Sequence, residues 1–375
     1  MILDRMRLLN ILDTLKMASG HKVMKISDFV KFTVDKSGGA VYMGATNFET
    51  FMIVDYGDVS LCQIEDMPDV FLIEFGRLLN LIKASTTTDA KFSCNAEGDV
   101  IKVATNGSFK FPVFKEHDQY PTSDYANNEA GTWQAEELNA IFEKVKIAIS
   151  KDVTKLSYQG INYDGNWAAC DNRRLSVVRG GDNHQYDGKS VLVPATIGEL
   201  FSRCKGEVKI GVNDDGNMVV ITNEGSGLLA AMRLIESPFV PYQRLFDDAK
   251  EHIIAKLPKV EILGALKRLG CFTDKIFKVG KLEITTTPTG AQFKCSIEND
   301  VGDGAEVIDA MEFEIVGDQS QLEGFSASYL YQIENLSEGI EAVDSQTEVV
   351  LHIQPDGKLR INEDKFSYLL SPIVA

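Results

Sequence analysis

Tryptophan occurs twice in the 375 residues, histidine five times, cysteine six times and proline ten times. Each scarcity removes a class of protein. Cys62, Cys94, Cys170, Cys204, Cys271 and Cys295 stand far apart, with no CxxC and no histidine pair nearby. Neither a zinc site nor a disulfide framework is expected, and the six read as reduced, mostly buried thiols. His21, His117, His184, His252 and His352 are isolated, and no HExxH, Gly-x-Ser-x-Gly or Walker A sequence occurs. Val301-Gly302-Asp303-Gly304 lacks the third glycine and the strand-then-helix setting of a dinucleotide loop. Asp300 and Asp303 miss the spacing of a calcium-binding loop, and Gly180-Gly181-Asp182-Asn183-His184 reads as a solvated loop. Neither catalysis nor a cofactor nor a metal is expected. No run of eighteen apolar residues exists, so no membrane-spanning helix is expected. Met1-Ile2-Leu3-Asp4-Arg5 carries charge where a secretory signal needs an apolar stretch, which points to the cytoplasm.

What the chain does have is acid. Thirty-eight basic residues stand against 55 acidic ones, a formal −17. A general surface of that sign does not grip nucleic acid, although a local basic face on an acidic body remains compatible with it. Hydrophobic residues at 44% suffice for real cores, and the length suggests two or three domains.

A long internal period organises the chain. Tyr120-Pro121 and Val240-Pro241 lie 120 residues apart, each preceded at one offset by a glutamate, Glu116 and Glu236. Strand-like segments recur at 103–107, 220–224 and 359–363, the last followed by Ser371-Pro372. Apolar residues at helical spacing recur as Leu8, Ile11, Leu12, Leu15; Leu138, Ile141, Phe142, Val145; and Ile262, Ala265, Leu266, Leu269. A second helical set is expected at 75–84, 197–205 and 326–336. Alternating segments at 30–34, 208–212 and 281–285 read as half-buried antiparallel strands. Turn signals follow at Lys36-Ser37-Gly38-Gly39, Asp214-Asp215-Gly216-Asn217 and Pro355-Asp356-Gly357. The chain therefore reads as three tandem α+β units, 1–129, 130–248 and 249–375.

Particular segments carry a resemblance. Ala169-Cys170-Asp171-Asn172-Arg173-Arg174-Leu175-Ser176 is similar to the Ala-Thr-Asp-Gly-His-Arg-Leu-Ala of the bacterial DNA polymerase III β subunit, the sliding-clamp family. Val191-Leu192-Val193-Pro194 resembles that family's Val-Ile-Val-Pro before a helix. Phe239-Val240-Pro241-Tyr242-Gln243-Arg244-Leu245 resembles its Phe-Pro-Asp-Tyr-Arg-Arg-Val with the proline displaced by one. Thr46-Asn47-Phe48-Glu49 stands where Thr-Asp-Leu-Glu is usual. The likeness runs through the whole chain in order, with each motif degenerate, as expected of a divergent member carried by a phage or plasmid.

The resemblance implies three DNA-clamp domains, antiparallel sheets outside and two helices per domain inside. Two chains would join head to tail as a homodimer, a six-domain ring that encircles duplex DNA topologically, without reading its sequence. Such a clamp tethers a replicative DNA polymerase, is opened by a clamp loader, and is nucleoid-associated and non-enzymatic. The six expected helical segments, 5–18, 75–84, 135–151, 197–205, 259–269 and 326–336, carry a combined formal +6, leaving −23 elsewhere. On that count Arg5, Arg7, Lys16, Arg77, Lys83, Lys144, Lys146, Lys151, Arg203, Lys205, Lys267 and Arg268 would face DNA, though any one of them could equally be a solvated helix face.

By position, the family's cleft for short partner peptides falls on Tyr158, Cys170, Asn172, Arg173, Arg174, Leu175, Val240, Arg244, Leu245, Tyr329, Leu369, Ser371, Pro372 and Ile373. The usual Gly-His is here Asn172-Arg173, and the usual tail Met-Pro-Met-Arg-Leu is Ser371-Pro372-Ile373-Val374-Ala375, so the accepted motif differs or the cleft is weakened. For Leu175 and Leu369 plain core packing is the competing reading. Phe109, Phe111 and Phe272 are expected at the subunit joint, against the alternative of an ordinary hairpin core. The rival functions are a clamp-fold interaction scaffold that never closes round DNA, and a hydrolase built from repeats.

Overall fold

The computed structural model describes all residues except 21–23, 115, 124, 127, 181–189, 248–249, 274–277, 301, 318–323 and 375. Most of the expected loop at 180–184 therefore lies outside the described residues, as does Val301.

One order of elements occurs three times: strand, helix, three strands, strand, helix, three strands. The first copy is β1 (Ile2–Asp4), helix Arg5–Leu15, β2 (Phe29–Asp35), β3 (Ala40–Thr46), β4 (Thr50–Asp58), β5 (Val70–Glu74), helix Phe75–Ala84, β6 (Asp89–Cys94), β7 (Val100–Ala104) and β8 (Ser108–Pro112). The second is β9 (Asn128–Gln134), helix Ala135–Val145, β10 (Gly160–Tyr163), β11 (Asn166–Cys170), β12 (Arg174–Arg179), β13 (Val191–Pro194), helix Ile197–Phe201, β14 (Glu207–Val212), β15 (Met218–Asn223) and β16 (Leu228–Arg233). The third is β17 (Ile253–Pro258), helix Lys259–Gly270, β18 (Val279–Thr287), β19 (Gly290–Asn299), β20 (Gly302–Asp309), an additional β21 (Glu312–Ile315), β22 (Ser326–Gln332), helix Ile333–Glu341, β23 (Glu348–Ile353), β24 (Leu359–Glu363) and β25 (Phe366–Leu370).

Pairing repeats with the order. The opening strand of each copy pairs antiparallel with the strand after its second helix: β1 with β6, β9 with β14, β17 with β23. The strand after the first helix pairs with the strand before the second: β2 with β5, β10 with β13, β18 with β22. The segments expected at 103–107, 220–224 and 359–363 overlap β7, β15 and β24, the middle strands of the three closing triplets.

Compact packing nevertheless divides the chain into two units, Met1–Asn139 with Thr196–Leu234, and Ala140–Ala195 with Ile235–Ala375. Each unit fuses two copies through one strand pair. In the first, β4 pairs with β16 to make the eight-stranded sheet β5-β2-β3-β4-β16-β15-β14-β9, beside the four-stranded sheet β1-β6-β7-β8. In the second, β12 pairs with β25 to make the nine-stranded sheet β13-β10-β11-β12-β25-β24-β23-β17-β21, beside β20-β19-β18-β22.

Burial follows the sequence periods. Helix Arg5–Leu15, capped by the Asp4 carboxylate on the Arg7 amide at 2.7 Å, buries Leu8, Ile11, Leu12 and Leu15. In the same unit Phe32 stacks on Phe71 with ring centroids 4.7 Å apart. In the second unit Ile262, Leu266 and Leu269 of one helix and Leu336 and Ile340 of another are buried, with Phe293, Tyr331 and Tyr368. Gly339 is required there, because a Cβ at that position would run into the Tyr368 ring.

Four expected helices differ, the one at 5–18 by ending at Leu15 with a 3₁₀ turn over Lys16–Ala18. Residues 326–336 are not one helix: Ser326–Gln332 is a strand in register with all of Val279–Thr285, and the helix is Ile333–Glu341. Its Ser-Ala-Ser-Tyr-Leu-Tyr start suits a pleated edge better than a helix, since β-branched and aromatic residues pack well there. The helix expected at 197–205 stops at Phe201, and that at 135–151 ends at Val145 with a 3₁₀ turn over Lys146–Ala148.

Candidate interaction site

In the second unit, Ala168, Cys170, Leu175, Val177, Tyr242 and Leu369 form a buried cluster. Tyr158, Phe239, Val240 and Phe246 pack against it partly exposed. The β12–β25 pair places Leu175 opposite Leu369. The Asp171 carboxylate shapes the turn into β12 by accepting the Arg173 and Arg174 amides at 3.0 and 2.9 Å, while Asn172 takes a left-handed φ of 78°. The Tyr158 hydroxyl reaches Asn172 Oδ1 at 3.4 Å. Tyr242 donates to Asp164 Oδ1 at 2.9 Å, and its ring meets Phe239 edge-on. Burial pushes the Tyr242 hydroxyl and the Cys170 thiol to higher pKa, so this cysteine is a packing group and not a nucleophile.

Of the expected cleft residues, Tyr158, Cys170, Leu175, Val240 and Leu369 do come together. Leu175 and Leu369 are core in their own right, at 1% and 4% exposure. Arg244 and Leu245 are exposed on a short helical turn, Arg244–Asp247. The tail is tied down: the Ser371 amide donates to Arg173 O at 2.8 Å and the Ile373 amide to Leu330 O at 2.7 Å. Tyr329 and Pro372 both border Gly357. Arg173 is exposed, but Arg174 is not a free rim residue. It binds Asp171 at 2.7 Å and also Glu338, its side chain 10% exposed. Burial would lower its pKa, but Tyr368, Asp171 and Glu338 outweigh that and raise it. Phe239, Tyr242 and Phe246 were not among the expected cleft residues, although 239 and 242 lay inside the quoted motif.

The expected cations divide into two groups. Arg77 pairs with Glu74, Lys83 with Asp13, Lys144 with Asp344, Lys146 with Glu143, Lys267 with Glu341 and Arg268 with Glu306. Arg5 donates to Thr87 O at 2.8 Å and to Ile82 O, carbonyls at and beyond the end of helix Phe75–Ala84. Arg7, Lys16, Lys151, Arg203 and Lys205 form no ion pair among the described residues. Arg7, Arg203 and Lys205 share a groove of about 520 Å³ in the first unit, with Asp55 and Glu224 also lining it. The Arg7 guanidinium lies over the Tyr56 ring at 4.8 Å.

The expected +6 does not hold. In chain order the six helices carry +1, +2, −2, −1, +2 and −3, a net of −1. Two units of the change come from Glu338 and Glu341 of helix Ile333–Glu341, and the other five from cations that fall outside the helices. Lys16, Lys146, Lys151, Arg203 and Lys205 lie just beyond helix C-termini, where a cation meets the negative end of the helix dipole.

Among the described residues eight strands edge the four sheets, and two of these edges correspond by rank. β4 and β12 close the first triplets of copies one and two, and each pairs with the strand closing the second triplet of the next copy, β16 or β25. That rule leaves over β8, an edge of one four-stranded sheet, and β20, an edge of another. Phe109 on β8 is 43% exposed and Phe272, whose ring leans on Gly302 and Gly304 of β20, is 38% exposed. Phe111 instead points into the core at 6%.

No protein-family model and no curated protein sequence matches the chain. Solved structures match it end to end. A putative DNA polymerase III β subunit from Eubacterium rectale gives a TM-score of 0.82 at 16% identity, covering 99% of this chain and 98% of that one. The β subunit from DNA polymerase of Streptococcus pyogenes gives 0.83 at 16%, over 100% and 99%. The DNA polymerase sliding clamp from Bacillus subtilis gives 0.82 at 14%, over 100% and 98%. The chain thus has the fold of these clamps, an α+β architecture of antiparallel sheets and paired helices.

Proposed function

We propose that this chain is a sliding clamp, non-enzymatic and nucleoid-associated in the cytoplasm. Two copies join head to tail, with β8 of each pairing antiparallel with β20 of the other, and the six clamp domains (1–129, 130–248 and 249–375 in each chain) enclose duplex DNA. The observation that carries the reading is the pair of leftover edges on a fold that matches clamps over its full length. Their charges are complementary: Lys110 lies on β8, and Asp303, Glu306 and Asp309 lie on β20. The apolar patch around Tyr242 and Leu175 would take short peptide motifs of the polymerase and the clamp loader, with Arg173, Arg244 and Leu245 at its exposed margin.

Sedimentation tests the closure. A species of twice 41.4 kDa at micromolar concentration is expected, and Phe109→Asp with Phe272→Asp should reduce it to a single chain. Loading onto nicked circular DNA should give complexes that are lost when the circle is linearised. A 41.4 kDa monomer at every micromolar concentration would favour the second reading, a clamp-fold scaffold that binds proteins only. One observation speaks for that reading: the helices carry a net negative charge, and six of the twelve expected DNA-facing cations are held by carboxylates.

A further inference from the structure

The first unit holds a pocket that the reading above leaves without a role. It has a volume of about 370 Å³ and opens on the long sheet, over Ala45 of β3, Phe51 and Ile53 of β4, and Leu229 of β16. Its wall is the segment carrying Tyr120, Thr122 and Tyr125. Tyr120 is fixed by its hydroxyl, which donates to Phe29 O and Gly44 O at 3.3 Å each.

The pocket stands at the place in the first unit that the Tyr242 patch takes in the second. Both lie on a strand pair that fuses two copies, β4 with β16 and β12 with β25. Both are walled by the segment that follows the last strand of a copy, Tyr120-Pro121 in one and Val240-Pro241 in the other. Among the differences at the 120-residue offset, one decides the space. Tyr242 is 3% exposed and fills its patch, whereas Thr122 is small and exposed and leaves the space open. Lys31 is the one charged residue among the described residues of the lining. Its Nζ lies 5.6 Å from the centre of the Tyr120 ring, and it makes no ion pair among the described residues.

We propose that this pocket is a second peptide-docking site, for an extended segment of another protein that offers a leucine or phenylalanine beside an aspartate or glutamate. The space suits two bulky side chains. Lys31, with no carboxylate among the described residues of the lining, selects the acidic neighbour. This goes beyond the clamp reading and does not depend on the patch in the second unit.

The full chain with ¹³C-methyl methionine tests it, because Met52 is in the lining. Acetyl-Glu-Leu-Phe-amide should shift the Met52 methyl resonance saturably at millimolar concentration, and acetyl-Lys-Leu-Phe-amide should bind about threefold more weakly. Lys31→Glu should reverse that preference, and Thr122→Trp, which fills the mouth from an exposed position, should remove binding. Arg244→Glu, at the patch in the second unit, should leave the Met52 shift as it is. A motionless Met52 signal, equal binding of the two peptides, or binding lost in Arg244→Glu but kept in Thr122→Trp would each overturn the proposal.

Discussion

Lys144 Nζ lies 2.6 Å from Asp344 Oδ2, 200 residues further along the chain, and 5.2 Å from the centre of the Phe366 ring. A cation expected to face DNA is thereby held by an acid of the third copy within the second unit. The lysine side chain is 17% exposed, so its loss removes packing as well as charge. Lys144→Ala should cost about 1 kcal/mol and Asp344→Ala about half that, read as shifts of the urea midpoint at constant slope.

Arg174 is the more sensitive case, because Asp171 and Glu338 both depend on it. Arg174→Met leaves two carboxylates without their cation and should cost about 3 kcal/mol. Adding Glu338→Gln should recover part of the loss, and urea unfolding of the two variants beside the unsubstituted chain would show it. Equal stability of all three would mean the pairing contributes nothing.

Acid stability has an identifiable contributor in the second unit. Burial would raise the Glu251 carboxyl, but hydrogen bonds from Arg360 and His352 outweigh it and hold the group below the usual carboxylate range. A carboxyl depressed on folding adds stability that is complete above its unfolded pKa of about 4.3 and is lost as pH falls through the folded value. Glu251→Gln should therefore destabilise at neutral pH and flatten the fall in stability below about pH 4.5, as thermal melts across that range would record.

If the chain encloses DNA, its unpaired cations should matter more than its paired ones. Arg203→Glu with Lys205→Glu, in the groove beside Arg7, should shorten retention on nicked circular DNA severalfold and reduce the salt dependence of binding. Lys267→Glu with Arg268→Glu, both engaged by carboxylates, should do so less. The same loss from both pairs would remove the distinction.

The period of the chain was legible because proline position, helix spacing and strand alternation agreed at one interval, and the order and pairing of strands repeat accordingly. The heart of the apolar patch was legible through the segments around Cys170 and Val240. The charge of the helices was not. Ser326–Gln332 contains no turn residue to separate it from the helix that follows, so the boundary slipped by seven residues and hid Glu338 and Glu341. Nor could one sequence show that Lys144 meets Asp344 or that Arg174 meets Glu338, since such pairs depend on strand fusion between distant copies. Spacing within a copy said nothing about partners outside it.

The two fusing strand pairs mean that inheritance and self-sufficiency have different grain in this molecule. An ancestral segment expressed alone from the first copy would present the amides of β4 with nothing to bond, and the middle copy alone would do so along both β12 and β16. Excising one copy is therefore a poor route to a minimal protein. A cut that respects the packing has to pass through the middle copy three times, after Asn139, after Ala195 and after Leu234, and must rejoin stretches that the gene does not write side by side.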